Sequence, residues 1–548
     1  MQELNRSQKS RFSIRAFKVI ADALLLRGYF NPVGASGQKL VEALSILSPE
    51  IYGVMNDPQR VELSGLVYIM DRLPKGMEEC TRYTFSAAEG LQEGFEIIMP
   101  LKRRRNSYRV NEKEMCFEIT RGRSEIYDIL THITFLGIEM EKIRKRGYDE
   151  KGKTQEWVQL EKIVTKQQKI EYLDQEIWNL SKIVGATFEE TKKAYQRLEE
   201  SGRAHNNGLF HIIYSLGKIA WEAKQNPEEG HLVIFTPSLE EMMGKHLYAE
   251  AWATNIKKIL HKKKLIERPL HIISSNLHSI RNLLSCYAVG KSKGKDVFET
   301  VKLVKGQEDA LNRHALKHGM IDYKDTSKSH IDCQIIDTTK IDFDNLHPDI
   351  KINEEYVKKT KPVLLVMDYA FGEQAFEVMD ELLKPFEGQK LNVSSISVMG
   401  KAGILPGEKG DIMLPVAHIF EGDTDTYSFK NQLQIDDFSS DINVYRGPMI
   451  TVLGTSLQNR DVLGYFLESS WKAIGLEMEG GHYQKAIQSA MIRQHIKGNV
   501  ALNYAYYASD NPLQSGQTLA SGGMGDSGIR PTYTISNVML KKILNKGK

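Results

Sequence analysis

From Lys361 onward the chain alternates apolar runs with amphipathic ones: KPVLLVMDYAFGEQAFEVMDELL, then VSSISVMGKAGILPGEKGDIMLPVAHIF, PMITVLGTS, AIGLEMEGGHYQKAIQSAMI and NVALNYAYYASDNPL. A strand that is apolar on both faces has to lie in a sheet covered on both sides, and the helix-period segments between such strands supply the cover. The pattern predicts an α/β fold around a central mixed sheet over residues 361–548.

Upstream the periodicity is different. Ile14, Phe17, Ile20, Ala21 and Leu24 recur at helical spacing before Gly28, and Thr187 with Glu190 forms a capping box opening a helix that stops at Gly202. Residues 1–205 therefore read as a mainly helical N-terminal region. After the HNNG turn, HLVIF (231–235) and PLHII (269–273) are β-type runs each followed by a helical segment, which predicts a small α/β unit over 206–325. Residues 326–360, rich in Lys and Asp with weak periodicity, read as a linker.

Charge narrows the function classes. The 73 basic and 70 acidic residues leave a net +3, so no global field favours nucleic acid or a membrane surface as partner. The basic clusters LKRRRN (101–106) and KKILHKKK (257–264) lack interleaved aromatics and read as solvated faces. Cys80, Cys116, Cys286 and Cys333 lie far apart without a CxxC pair, so neither a zinc site nor a disulfide framework is expected, and no metal or cofactor is assigned. With no signal-peptide pattern and no stretch approaching 18 apolar residues, a cytoplasmic location is expected. SGGMGDSG (521–528) neither follows a strand nor opens an evident helix, and it reads as a flexible segment rather than a phosphate loop.

Three motifs carry a resemblance. VMGKAGILPGEKGDIMLPVAHIFEG (398–422), GLEMEGG (475–481) and YASDNPLQSGQTLASG (507–522) look like, in that order, the glycine-rich strand-turn, the Met-Glu ribose motif and the Ser-Asp motif of the purine nucleoside phosphorylase and nucleosidase superfamily. The Ser-Asp-x-Pro-Leu run resembles the AMP nucleosidases in particular. The resemblance covers about residues 361–545 and implies a three-layer α/β domain that breaks the N-glycosidic bond of a purine nucleoside or nucleotide. It also implies a homo-oligomer.

Such a cleavage passes through an oxocarbenium-like sugar and leaves negative charge on the base, so an acid near N7 and an acceptor for the ribose hydroxyls both lower the barrier. On the resemblance, Asp510 beside Ser509 is the acid; the plain alternative is a turn residue before Pro512. Glu479 is the bidentate acceptor of the ribose diol, with Met478 packed on the sugar. Glu477 is expected to turn the other way at a strand end, where successive side chains alternate. Gly400 and Gly403 let the backbone approach a phosphate, water or sugar oxygen, and Lys401 between them either touches an anion or is an exposed turn lysine. Asp411 braces the turn. The water-activating base belongs to the loop after VLLVM and is Glu373, or Gln374 one position on.

Arg446 and Arg460 flank PMITVLGTS, where a guanidinium can bind a 5′-phosphate or inorganic phosphate or else form an ordinary ion pair. Hydrolysis releasing the free base from an AMP-like substrate is the leading reading. The alternatives are phosphorolysis and a catalytically silent nucleotide sensor.

Overall fold

The computed structural model describes residues 4–32, 34–87, 94–150, 152–167, 169–290, 295–422, 425–514 and 524–545. They divide into two compact units, residues 1–245 with 454–462 and residues 246–453 with 463–548.

In the first unit, helices α1 (Arg6–Arg27), α2 (Ala35–Leu47), α3 (Leu63–Met70), α4 (Gly122–Gly147), α5 (Gln155–Val164), α6 (Leu173–Val184), α7 (Phe188–Ser201), α8 (Leu209–Gln225) and α9 (Pro237–Met242) accompany seven short strands. The strands are β1 (Tyr29–Phe30), β2 (Arg82–Ser86), β3 (Ser107–Asn111), β4 (Glu114–Glu118), β5 (Tyr148–Asp149), β6 (Gly152–Lys153) and β7 (Leu232–Phe235). Helix ends follow the sequence signals: α1 stops where Gly28 takes φ 83°, and the Thr187–Glu190 capping box opens α7.

The expectation of a mainly helical region misses a five-stranded sheet ordered β1-β7-β2-β4-β3. Its strands are too short to show a period, and β7 reaches it from the segment assigned to the small α/β unit. The reading of LKRRRN as solvated also fails. Arg105 is 1% exposed, its Nε 3.0 Å from Glu125 Oε1 and its Nη2 2.9 Å from Asp128 Oδ2, while Arg103 donates to both Asp128 oxygens at 3.1 Å. The basic residues of KKILHKKK are exposed except Lys257, which is buried and donates to the Glu381 and Lys384 carbonyls at 2.6 and 2.9 Å.

The second unit contains α10 (Leu247–Lys262), α11 (Leu277–Gly290), α12 (Val297–Leu303), α13 (Glu308–Lys317), α14 (Glu354–Thr360), α15 (Gln374–Leu383), the latter part of α16 (Arg460–Glu468), α17 (Gly480–Ile492) and α18 (Ile529–Leu544). Its strands are β8 (Leu270–Ser274), β9 (Met320–Tyr323), β10 (Cys333–Asp337), β11 (Val363–Met367), β12 (Val393–Ile404), β13 (Ile412–Phe420), β14 (Thr426–Ser428), β15 (Val444–Thr451), β16 (Gly475–Glu477) and β17 (Ala501–Asp510). They form one sheet in the order β14-β13-β15-β16-β12-β8-β11-β10-β9, with β17 pairing β12 and β13, so that β12, β16, β15, β13 and β17 close into a ring.

The expected α/β class with a central mixed sheet is present. Along β11, Val363, Leu365 and Met367 face a core with α10, α15 and α17, whereas Leu364 and Val366 face one with α11, α13 and α18. That is the three-layer arrangement a doubly apolar strand demands.

The boundary falls at residues 245/246 rather than within 326–360. The stretch read as a linker contributes β10 and α14, and PLHII is β8, hydrogen-bonded between β11 and β12. Strand pairing over long sequence separation, which local periodicity does not report, decides this. Residues 521–523 of SGGMGDSG lie outside the described residues; 525–528 form a 3-10 turn that leads directly into α18, so the segment does open a helix. The cysteines are buried and free. Among the described residues no helix is long and apolar enough to cross a membrane.

Candidate active site

β8, β11, β12 and β17 run parallel, so their carboxyl ends share one edge of the sheet, where ligands of open α/β sheets ordinarily bind. β12 and β17 run past the end of β8, and a bulge between Ala402 and Gly403 sets Gly403 opposite Asp510.

Asp510 is 2% exposed. Its Oδ1 accepts from the Ser509 hydroxyl, which also lies 3.2 Å from the Ala402 carbonyl, while Oδ2 has no hydrogen-bond partner among the described residues. Burial pushes the Asp510 carboxyl above its ordinary range, and the Ser509 bond and the charges of Lys401 and Lys409 only partly offset this. The neighbouring Asn511 fixes the turn: its Nδ2 donates to the Leu405 and Gly407 carbonyls at 3.0 and 2.8 Å. Asp411 closes the same turn, accepting from the Glu408 amide at 2.8 Å.

The two glutamates of GLEMEGG have different environments. Glu477 is buried, with Thr451 Oγ1 donating to Oε1 at 2.5 Å and the backbone amides of Glu479, at 2.5 Å, and Gly480 donating to Oε2. His418 Nδ1 lies 3.3 Å from Oε1, at ion-pair distance without hydrogen-bond alignment. Burial alone would raise this carboxyl, but His418, Thr451 and the Gly480 amide hold it below the ordinary range. Glu477 thus serves as an acidic brace at the start of α17.

Glu479 is half-buried, and its Oε1 accepts from the Gly372 amide at 3.1 Å. Strand alternation does not separate the pair, because residues two apart share a face. They part because β16 ends at Glu477 and the chain turns into α17.

The Gly372 contact joins Glu479 to the loop after β11, which holds Glu373. Gln374 is fully engaged there: its Nε2 donates to the Ser329 carbonyl at 2.7 Å and its Oε1 accepts from the Phe371 amide at 3.1 Å. Glu373, half-buried at the start of α15, is the carboxylate next to that contact.

Other expected residues fall as follows. Met478 is half-buried in the turn between the glutamates. A Cβ on Gly400 would sit 2.6 Å from the Tyr506 ring, so close strand packing accounts for that glycine. Lys401 is exposed beside it, paired across the sheet with Tyr507. Arg446 is exposed on β15 and donates to the Leu433 carbonyl at 2.7 Å. Arg460 belongs to the first unit's 454–462 segment, its Nε 3.8 Å from Glu50 Oε2. Residues 515–522 of the third motif lie outside the described residues.

Sequence reasoning missed Tyr506 and Tyr483. The Tyr506 hydroxyl is buried without a hydrogen-bond partner among the described residues, and a Cβ on Gly480 would lie 2.3 Å from it. Tyr483 bonds Ser274 at the end of β8 through 3.0 Å. The period-two placing of Tyr504 and Tyr506 in NYAYYASD was the available signal.

A family model described as Family of unknown function (DUF6909) matches residues 38–305 and 295–545. The chain belongs to that family. No curated protein matches the sequence. Solved structures resemble this DUF6909 chain over about half its length. One is the 5′-methylthioadenosine/S-adenosyl homocysteine nucleosidase of Campylobacter jejuni, with 11% identity over 51% of this chain and 99% of that one at a TM-score of 0.32. Futalosine hydrolase of Helicobacter pylori strain 26695 shares 9% identity over 51% and 98%, TM-score 0.30. Uridine phosphorylase from Schistosoma mansoni in complex with thymidine shares 12% over 52% and 89%, TM-score 0.33. Identities and TM-scores this low assign no chemistry to the chain.

Proposed function

We propose that the second unit hydrolyses the N-glycosidic bond of a purine nucleoside or nucleotide, with AMP-like substrates favoured, and releases the free base. The observation that carries the reading is Asp510: a carboxyl buried at a strand end, shifted towards its protonated form, with one oxygen unengaged. A neutral carboxyl in that position donates its proton to N7 of the departing base as the bond from C1′ to N9 breaks. Glu479, oriented by the Gly372 amide, accepts hydrogen bonds from the ribose diol, and Met478 packs on the sugar. Water adds to C1′ and gives a proton to Glu373, the carboxylate adjoining that amide. Ser509 keeps Asp510 in place, and Glu477, wholly committed to bracing α17, takes no part in proton transfer.

Hydrolysis is preferred to phosphorolysis because Arg446 is tied to the Leu433 carbonyl and Arg460 is paired with Glu50. Lys401, whose charge acts on Asp510, is the residue we place towards an anionic group of the substrate.

Incubating the protein with AMP, adenosine, inosine and methylthioadenosine, with and without phosphate, and assaying free base tests the reading. Phosphate-independent release of adenine or hypoxanthine is expected. Release only with phosphate would make the enzyme a phosphorylase, and saturable binding without release would make it a sensor.

A further inference from the structure

The second unit has another group of convergent ligand atoms, which the proposed reaction leaves unused. His314 on α13 and His318 one turn later stack at 4.5 Å between ring centroids, and both Nε2 atoms face Asp342 Oδ2, at 3.2 and 3.8 Å. The three ligand atoms lie within 4.8 Å of one another. In a tetrahedral zinc site with bonds of about 2.0 to 2.1 Å, neighbouring ligand atoms stand roughly 3.3 Å apart. The His314 contact meets that spacing, and a small rotation of His318 closes the other.

The surroundings are those of a ligand set. Ser285 Oγ bonds His314 Nδ1 at 3.1 Å and so directs Nε2 at Asp342, while Asn345 Nδ2 donates to both Asp342 oxygens at 3.1 and 3.0 Å. Partners of this kind orient metal ligands. A cavity of about 10 Å³ adjoins the three side chains, room for about one water. Arg281 also borders it, but its charge is taken up by Glu308.

Two other carboxylate and histidine clusters differ in one respect. Glu79 beside His211 is paired with Arg109, and Asp380 and Glu381 beside His246 are paired with Lys384 and Arg493. Asp342 has no lysine or arginine ion pair among the described residues. A proton on one imidazole satisfies one of its two contacts with Asp342, whereas a cation satisfies both.

We propose that His314, His318 and Asp342 bind a divalent transition-metal ion, zinc foremost, with the fourth position open to the adjoining cavity. The ion clamps α13 to the segment between β10 and α14. The donor set, two imidazoles and a carboxylate with one place for water, is that of an open zinc site.

The test uses the full chain stripped with a chelator and titrated with zinc against a chromogenic competitor, then with cobalt. One tight zinc per chain and four-coordinate cobalt absorption are expected. His318→Ala and Asp342→Asn should each weaken zinc binding by roughly 100-fold or more, and Ser285→Ala by about 10-fold, the scale of an orienting partner. Metal-free melting temperatures serve as the folding control, and the wild-type cobalt spectrum is read independently of any variant. Absence of zinc binding at micromolar concentration, equal affinity in wild type and both ligand variants, or a six-coordinate cobalt spectrum would each overturn the proposal.

Discussion

Each unit buries a carboxylate at the edge of its secondary structure, and the two are treated in opposite ways. Glu125 in the first unit accepts from Arg105 and Arg121 side chains at 3.0 and 2.7 Å and from the backbone amides of Thr120 and Arg121 at 3.1 and 3.2 Å. Burial alone would raise its carboxyl, but those arginines hold it below the ordinary range. Asp510 in the second unit has a serine on one oxygen and nothing on the other among the described residues, and burial wins. Burial of an acid therefore says little about function; completeness of its partner set says more. Glu125 is consumed by the fold, whereas Asp510 keeps one oxygen without a hydrogen-bond partner among the described residues, as the proposed acid requires.

The largest expected effect is on the consumed group. Glu125→Gln removes the negative charge shared by two buried guanidinium groups, Arg105 keeping Asp128, and should cost about 3 to 5 kcal/mol of stability by denaturant unfolding. A cost near zero would break the comparison, because the two acids would then be equally dispensable to the fold. Asp510→Asn should do the reverse: a folded protein with base release reduced by roughly 100-fold or more, the scale of a lost general acid. Near-normal turnover in that variant would remove Asp510 from the chemistry.

This contrast also shows what was legible in the sequence. The apolar runs of β11, β12 and β17 announced the sheet of the second unit, because a strand covered on both faces is continuous in hydrophobicity. RYTFS, SYRVN and EMCFE did not announce theirs, since five residues carry little period and β7, which pairs with RYTFS, lies far along the chain. Asp510 and Glu479 stood out through local motif. The different work of Glu477 depended on Thr451 and His418, which the sequence does not place beside it. LKRRRN was misread for the same reason: Glu125 and Asp128, which neutralise Arg103 and Arg105, come from α4 and reach them only in the folded chain.

The comparison sharpens within GLEMEGG. Glu479→Gln should weaken binding and turnover of ribonucleosides by about 1.5 to 3 kcal/mol, the worth of a charged hydrogen bond, and affect 2′-deoxy substrates much less. Kinetics on matched ribo and deoxy pairs read this directly. Equal losses on both would mean that Glu479, like Glu477, only braces the turn.

The smallest effect is on the pH dependence of stability, and its sign separates the two acids. Glu125 is held low in the folded state, so its contribution is present above the unfolded carboxyl pKa and is lost as pH falls through the folded value. Asp510 is raised, so the folded state binds its proton more tightly than the unfolded chain does. Its neutral form supports the fold fully below the unfolded carboxyl pKa, and that support drains away as pH rises through the folded value. Asparagine has no proton to lose, so Asp510→Asn should gain on wild type steadily as pH increases across the carboxyl range and then level off. Thermal melts of both proteins at a series of pH values measure the difference. A gap that stays flat, or narrows with rising pH, would mean that Asp510 is ionised in the folded protein at ordinary carboxyl pH, and a group already ionised has no proton to give a departing base.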